Sequence, residues 1–461
     1  MKHQAPRHRT LLRTTQIALA SAAFALLAAC GGGSSGDNNN ANTTPPSGTK
    51  LQVVTFGTSL SDAGTYSAQI TPGFGGGRFT TNPGEVWAQK VSEYFGNTLS
   101  PAFEGGFGLP LTATGGLDYA QGGALVATGG VSNTSVAIPA ASQQPLTWQL
   151  QQYLAQHGSF NANQLVLVEG GANEILGLVE DNNAAGLTAF GTALAASSFS
   201  TQLTNTTVQQ AIVTQLVQGG FTTAQAQALF PAALLLQIIK ADTNASTDFA
   251  SILPILTAAG QLANLVNTQI VGTPKVAVVT VPDIGKTPAA LAVDAAVKAT
   301  PGSASAPDQA LSLITAAYNL TLIQGLSTSI AAKKVVLVDT YSWLDQSIAN
   351  AASLGFSVTN TATACNLTQM QQNATSYALA NPSVLGLPSG TSQTVINAAA
   401  AVYGAQFASS LFCSPQTLVA ANAPTTYMFA DQVHPTTELH AQFASYVETQ
   451  LAAAGIGKAP Q

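Results

Sequence analysis

Ser59 stands in the run Thr55-Phe56-Gly57-Thr58-Ser59-Leu60-Ser61-Asp62-Ala63-Gly64, and His434 in Asp431-Gln432-Val433-His434-Pro435-Thr436. A serine hydroxyl is a poor nucleophile at neutral pH. It needs a base to take its proton and donors to hold an oxyanion. His434 is such a base. Asp431, three residues earlier, can reach the imidazole Nδ1 across a loop and so fix the tautomer that leaves Nε2 free. These residue types fit nucleophilic catalysis by serine. The plainer reading of Ser59 is a helix N-cap, a common job for serine after a strand.

The other histidines narrow the choice. His3 and His8 belong to the N-terminal segment. His157 stands beside Gly158 and reads as a solvated loop residue, and His440 reads as a packing or capping residue on the helix after His434. His434 and His440 lack the four-residue spacing of helical zinc ligands, so no metal site is expected. The G-x-S-x-G elbow is also absent, because Ser61 stands where its second glycine would be. This points away from the α/β-hydrolase fold.

Short apolar runs must position these residues. Leu51–Phe56, Leu165–Glu169, Lys275–Val281 and Lys334–Asp339 read as strands, and a run near Asp118–Ala120 as another strand end. Continuous β-branched runs suit strands buried on both faces. Their alternation with helical stretches predicts an α/β fold with a parallel sheet between helices. Ligands bind such sheets beyond the carboxyl ends of the strands. Ser59, Gly123, Asn173 and Asp283 all follow strand-like runs, which suggests one shared site. A helical insertion is expected over about 176–268, with breaks at Gly219-Gly220 and Pro231. Its Ala/Leu/Ile-rich pattern suits a lid or acyl-binding wall, or helices that simply pack on the core.

Composition sets further bounds. Of the 461 residues 46% are hydrophobic, enough for a sizeable core, and only 7% are charged. Ordinary domains carry roughly 25% charged residues. Net charge is −6 and no dense Lys/Arg run follows the N-terminal segment. That argues against a nucleic-acid partner. Residues 1–29 read as a signal peptide: Lys2, Arg7, Arg9 and Arg13 precede a 13-residue apolar stretch, Ile17–Ala29. Such a stretch is too short to span a bilayer. Leu27-Ala28-Ala29-Cys30 resembles a bacterial lipoprotein signal, with lipid on the Cys30 thiol and residues 30–49 as a flexible tether. Ordinary signal cleavage, with Cys30 incidental, is the alternative. The remaining cysteines of an exported chain, Cys365 and Cys413, suggest one disulfide, or else two buried thiols.

Four blocks, taken in order, resemble the GDSL, or SGNH, family of esterases and lipases. They are Gly57–Gly64, with Thr58 where the family usually has Asp; Asp118–Ala124; Gly171-Ala172-Asn173-Glu174, with Glu174 where Asp is usual; and Asp431–Thr436. Arg78-Phe79-Thr80 and Pro282–Pro288 resemble secondary stretches of the lipase branch, and the similarity runs from about Leu51 to Val447. The resemblance implies a three-layer α/β/α, flavodoxin-like SGNH hydrolase domain over 50–455. It implies Ser59 as nucleophile, His434 as base and Asp431 as its orienting partner. The oxyanion donors would be the Ser59 N–H, the Gly123 N–H (Gly122 as fallback) and the Asn173 amide. Asn173 could instead only stabilise a turn, and Gly122-Gly123 only a tight loop. The implied activity is cleavage of a small-molecule or lipid ester through an acyl-serine, with no cofactor, by a protein of the bacterial envelope. It would be held at the outer membrane by its lipid, or secreted. An acyltransferase using the same acyl-enzyme and a non-catalytic surface-binding lipoprotein are the alternatives.

Overall fold

The computed structural model describes residues 50–106, 109–127, 143–179, 185–299 and 306–457. The segments read as a signal peptide and a tether, with Cys30, lie outside these residues.

The strands are β1 (Gln52–Phe56), β2 (Phe103–Gly106), β3 (Leu109–Ala113), β4 (Gln164–Val168), β5 (Lys275–Val279) and β6 (Val335–Val338). β1, β4, β5 and β6 form one parallel sheet in that order, with Val54 opposite Val166, Leu167 opposite Ala277 and Val278 opposite Leu337. β2 and β3 form a separate antiparallel pair. The β-branched runs become strands because both sheet faces are covered, so every side chain of β4 finds a buried place. One face carries Val53, Leu165, Leu167, Ala277 and Val279. It packs against Val91 of the helix Trp87–Tyr94 and Phe443 and Val447 of the helix Thr437–Ala453. On the other face Phe56 meets Tyr153 of the helix Leu146–His157 edge-on, and Tyr153 stacks on Phe160. This mixed architecture is compatible with a three-layer α/β fold.

Two expected strands differ from the structure. The run at Asp118–Ala120 makes only a bridge, Asp118 pairing with Thr55 and Pro101. The Asp118 carboxylate takes the N–H groups of Ala63 and Ala120, and so fixes a turn where a ladder would continue. β5 stops at Val279 and does not reach Val281, because the Asn319 side chain takes both the N–H and the carbonyl of Val281.

The chain divides into two compact units. One comprises helices between residues 186 and 253, a narrower span than the expected 176–268. The helices Ala172–Leu176 and Leu253–Gln269 lie almost wholly in the sheet unit. Within the helical unit, Asn205 caps the helix Thr206–Gln218, which ends at Gly219 as expected. Thr222 and Gln225 form a capping box for the next helix, Thr223–Ala241. That helix runs through Pro231 without a break, contrary to the expectation. Proline removes only one donor, and the buried run Ala232–Leu235 holds the helix beside the defect.

Candidate active site

Ser59 lies on the turn that leaves β1, where the Ser61 N–H bonds the Thr58 carbonyl. Two side chains grip this turn. The Gln149 amide donates to the Gly57 carbonyl and accepts the Gly57 N–H, both at 2.9 Å. The buried Glu169 carboxyl, at the end of β4, accepts from the Thr58 N–H and from the Thr58 hydroxyl at 2.9 Å. A Cβ at residue 57 would push against the Glu169 carboxyl, so glycine lets that side chain close on the turn. Beyond Ser59, Asp62 accepts the N–H groups of Gly64, Thr65 and Gly122 and draws the loop at Gly122 towards the turn.

His434 approaches from the other end of the sequence. Its Nε2 lies 2.9 Å from Ser59 Oγ and its Nδ1 2.7 Å from Asp431 Oδ2. Asp431 Oδ1 accepts the Val433 and His434 N–H groups at 2.8 and 2.7 Å, and Oδ2 also takes the Ser410 N–H. Burial by itself would raise the Asp431 carboxyl. The attraction and hydrogen bond of His434, with the two loop N–H groups, outweigh it and hold the group at about 2. The carboxylate is therefore a fixed negative charge behind the imidazole. Phe79 packs on the imidazole, with ring centres 5.0 Å apart.

Asn173 opens the short helix Ala172–Leu176 and donates through Nδ2 to the Ala124 carbonyl at 2.7 Å. A side-chain amide has two N–H donors, so one remains for another acceptor. Gly171 sits at φ +110°, and a Cβ there would enter the Tyr318 ring. Glu174 is half-buried and accepts the Val126 N–H at 2.7 Å. It therefore secures the same loop from the far side. Of the two loop glycines, Gly122 spends its N–H on Asp62. Gly123 sits at φ +79°. This backbone state favours glycine. No partner for the Gly123 N–H occurs among the described residues.

Ser59, Asn173 and His434 line one cavity of about 860 Å³, counting its mouth. Gly123 and Asp283 are not in its wall. Asp283 instead bonds the Ser312 hydroxyl at 2.7 Å and caps the turn Ile284–Lys286, so it does not join the site suggested by its place after a strand. His440 lies on the helix Thr437–Ala453, and its Nδ1 accepts the Trp87 N–H at the start of another helix. Burial lowers its pKa to about 3, so it stays neutral. His157 ends the helix Leu146–His157, exposed, rather than lying in a loop. Among the described residues no group of three or more His, Cys, Asp or Glu is placed to hold a metal ion.

Cys365 and Cys413 are joined, with Cα atoms 5.8 Å apart. Both flank the acid: the Cys365 N–H bonds the Ala430 carbonyl, and Ser410, near Cys413, holds Asp431. The residues that sequence reasoning passed over are Gln149 and Glu169. Glu169 left a signal, an acidic residue directly after the apolar run Leu165–Val168. Gln149 left none, being one of several glutamines on a helix. The chain matches no model of a known protein family and no curated protein.

Proposed function

We propose that this protein is a carboxylic ester hydrolase of the GDSL/SGNH type that works through an acyl-serine. One observation carries the reading: the unbroken line Ser59 Oγ, His434 Nε2, His434 Nδ1, Asp431 Oδ2, with both contacts short. In the first step Ser59 Oγ forms a bond to the ester carbonyl carbon while His434 Nε2 takes its proton. The bond to the alcohol oxygen then breaks, and the same proton passes to that leaving group. In the second step water, deprotonated by His434, attacks the acyl carbon. The bond to Oγ breaks, and Ser59 regains its proton as the carboxylic acid leaves. The Ser59 N–H, the Gly123 N–H and the free N–H of Asn173 supply the oxyanion donors. An exported lipoprotein anchored at Cys30 remains the reading of the N-terminal segment.

A fluorophosphonate probe tests this directly. The wild-type protein should be labelled on Ser59, and folded Ser59→Ala should be neither labelled nor able to cleave p-nitrophenyl acetate. Cleavage that persists in folded Ser59→Ala would remove the mechanism.

A further inference from the structure

Taking a carboxylate out of water without a cation is costly, so buried carboxyl groups are usually paired. Glu169 is 4% exposed, yet no ion pair holds it among the described residues. Its partners are the Thr58 N–H, on Oε1, and the Thr58 hydroxyl, 2.9 Å from Oε1 and 3.1 Å from Oε2. A neutral carboxyl fits this arrangement. Oε1 accepts the N–H, and an acid proton on Oε2 is donated to the hydroxyl. The titratable groups nearest to it bring no positive charge. They are Glu174 of the helix Ala172–Leu176, Tyr318 of the helix Pro307–Ala331 and Asp118, which bridges to β1. His434 lines the same cavity but is already paired with Asp431.

We infer that Glu169 is a positioning residue: as a neutral acid it sets the turn of Ser59, and as a carboxylate it opposes the reaction. The inference rests on the proposed hydrolase reading and adds a control of its rate by pH. Gln149 grips the turn at Gly57, and Glu169 grips it at Thr58, directly before Ser59. Without that grip Ser59 shifts against His434, and a misplacement of about 1 Å can lower a rate about 10²-fold. Charge acts as well as position. The Thr58 amide that Glu169 takes and the Ser59 amide proposed for the oxyanion are consecutive, and Glu169 shares the cavity wall with Ser59 and Asn173. A carboxylate there would repel the oxyanion as it forms. The transition state therefore favours neutral Glu169 more than the resting site does. Burial raises Glu169 to about 7 against the Thr58 bonds, so the opposing charge appears as pH rises through that value.

The test is the pH profile of kcat/KM for p-nitrophenyl acetate on the whole protein. Its acid limb belongs to His434. The wild type should also show an alkaline limb, falling by up to about tenfold per pH unit above the Glu169 value. Glu169→Gln keeps an acceptor for the Thr58 N–H and a donor for its hydroxyl but cannot ionise. It should keep the acid limb and lose the alkaline one. Glu169→Leu removes both contacts and should lower kcat about 10²-fold with KM nearly unchanged, a loss that Glu169→Gln should largely avoid. Glu174→Gln should still show an alkaline limb. Circular dichroism at each pH identifies the folded variants. If Ser59→Ala is inactive and the alkaline limb survives in folded Glu169→Gln, the inference falls and the hydrolase reading stands. A limb that disappears in Glu174→Gln instead also overturns the inference. If folded Ser59→Ala still cleaves the ester, both fall. Infrared difference spectra of Ser59→Ala with and without Glu169→Gln give a readout apart from turnover. A protonated-carboxyl band should be present in mildly acidic buffer and fade as pH rises past the Glu169 value, and its absence overturns the inference.

Discussion

Glu169 shows how much of the placement of Ser59 rests on one side chain. It is buried, and among the described residues it makes no ion pair. Burial raises it from 4.5 to about 7, although the Thr58 N–H and hydroxyl favour the charged form. The folded chain therefore prefers Glu169 protonated. This contribution to stability is complete below the unfolded value and is lost as pH rises through about 7. Burial moves Glu448 to about 7, and burial with the nearby Asp283 moves Asp345 to about 8, both in the same direction. Asp431, held at about 2, acts oppositely: its contribution is lost only as pH falls from the ordinary carboxylate range towards that value. Melting temperature should thus be highest in mildly acidic buffer and decline towards pH 8. Glu169→Gln should remove up to about 3 kcal/mol of that decline. Calorimetry showing the same decline in Glu169→Gln would contradict the assignment. Asn173→Ala should lower kcat by about 10²–10³ with KM nearly unchanged, the usual result of losing one oxyanion donor. Steady-state kinetics showing only a higher KM would make Asn173 a binding group. Ser59, His434 and Asp431, which the structure brings together, could be singled out in sequence because each sits in a short run of unusual composition. Glu169 and Gln149 were not, because their work is done across 111 and 92 residues of chain.

At the scale of elements, the disulfide and the acid loop form one device. The bridge between Cys365 and Cys413 joins the two segments whose backbones contact Ala430 and Asp431. The two cysteines are 48 positions apart. Closing a loop of that size stabilises the chain by up to about 4 kcal/mol in the chain-entropy model. Beyond this, loosening either segment frees the carboxylate that orients His434. The double variant Cys365→Ser, Cys413→Ser should therefore melt lower and lose kcat more than KM rises. Mass spectrometry of the unreduced protein should recover the linked peptides, and two alkylatable thiols in the native protein would refute the pairing. Strands were legible because period and β-branching speak for burial on both faces. The bridge at Asp118, the early end of β5 and the helix through Pro231 were not. Each is decided by a contact from elsewhere, a carboxylate on a distant N–H, an asparagine on a strand end, or packing around a proline.

At the scale of the whole molecule, Ser59 and His434 are separated by 375 positions. Long closure adds little thermodynamic cost, since each doubling of a loop adds only about 0.6 kcal/mol. Its effect is on order of assembly. The sheet runs β1, β4, β5, β6, which is also chain order, so each new strand can dock on the one before it. His434 arrives only with the helix Thr437–Ala453, whose His440 and Phe443 lock onto Trp87. On refolding, far-UV circular dichroism should recover before fluorophosphonate labelling does, and simultaneous recovery would argue against this sequence of events. The meeting of Ser59 and His434 thus waits on the folding of the strands and helices that separate them. On the proposed hydrolase reading, a chain emerging from its N-terminus would present Ser59 long before His434. It would therefore stay inactive until His434 had joined Ser59.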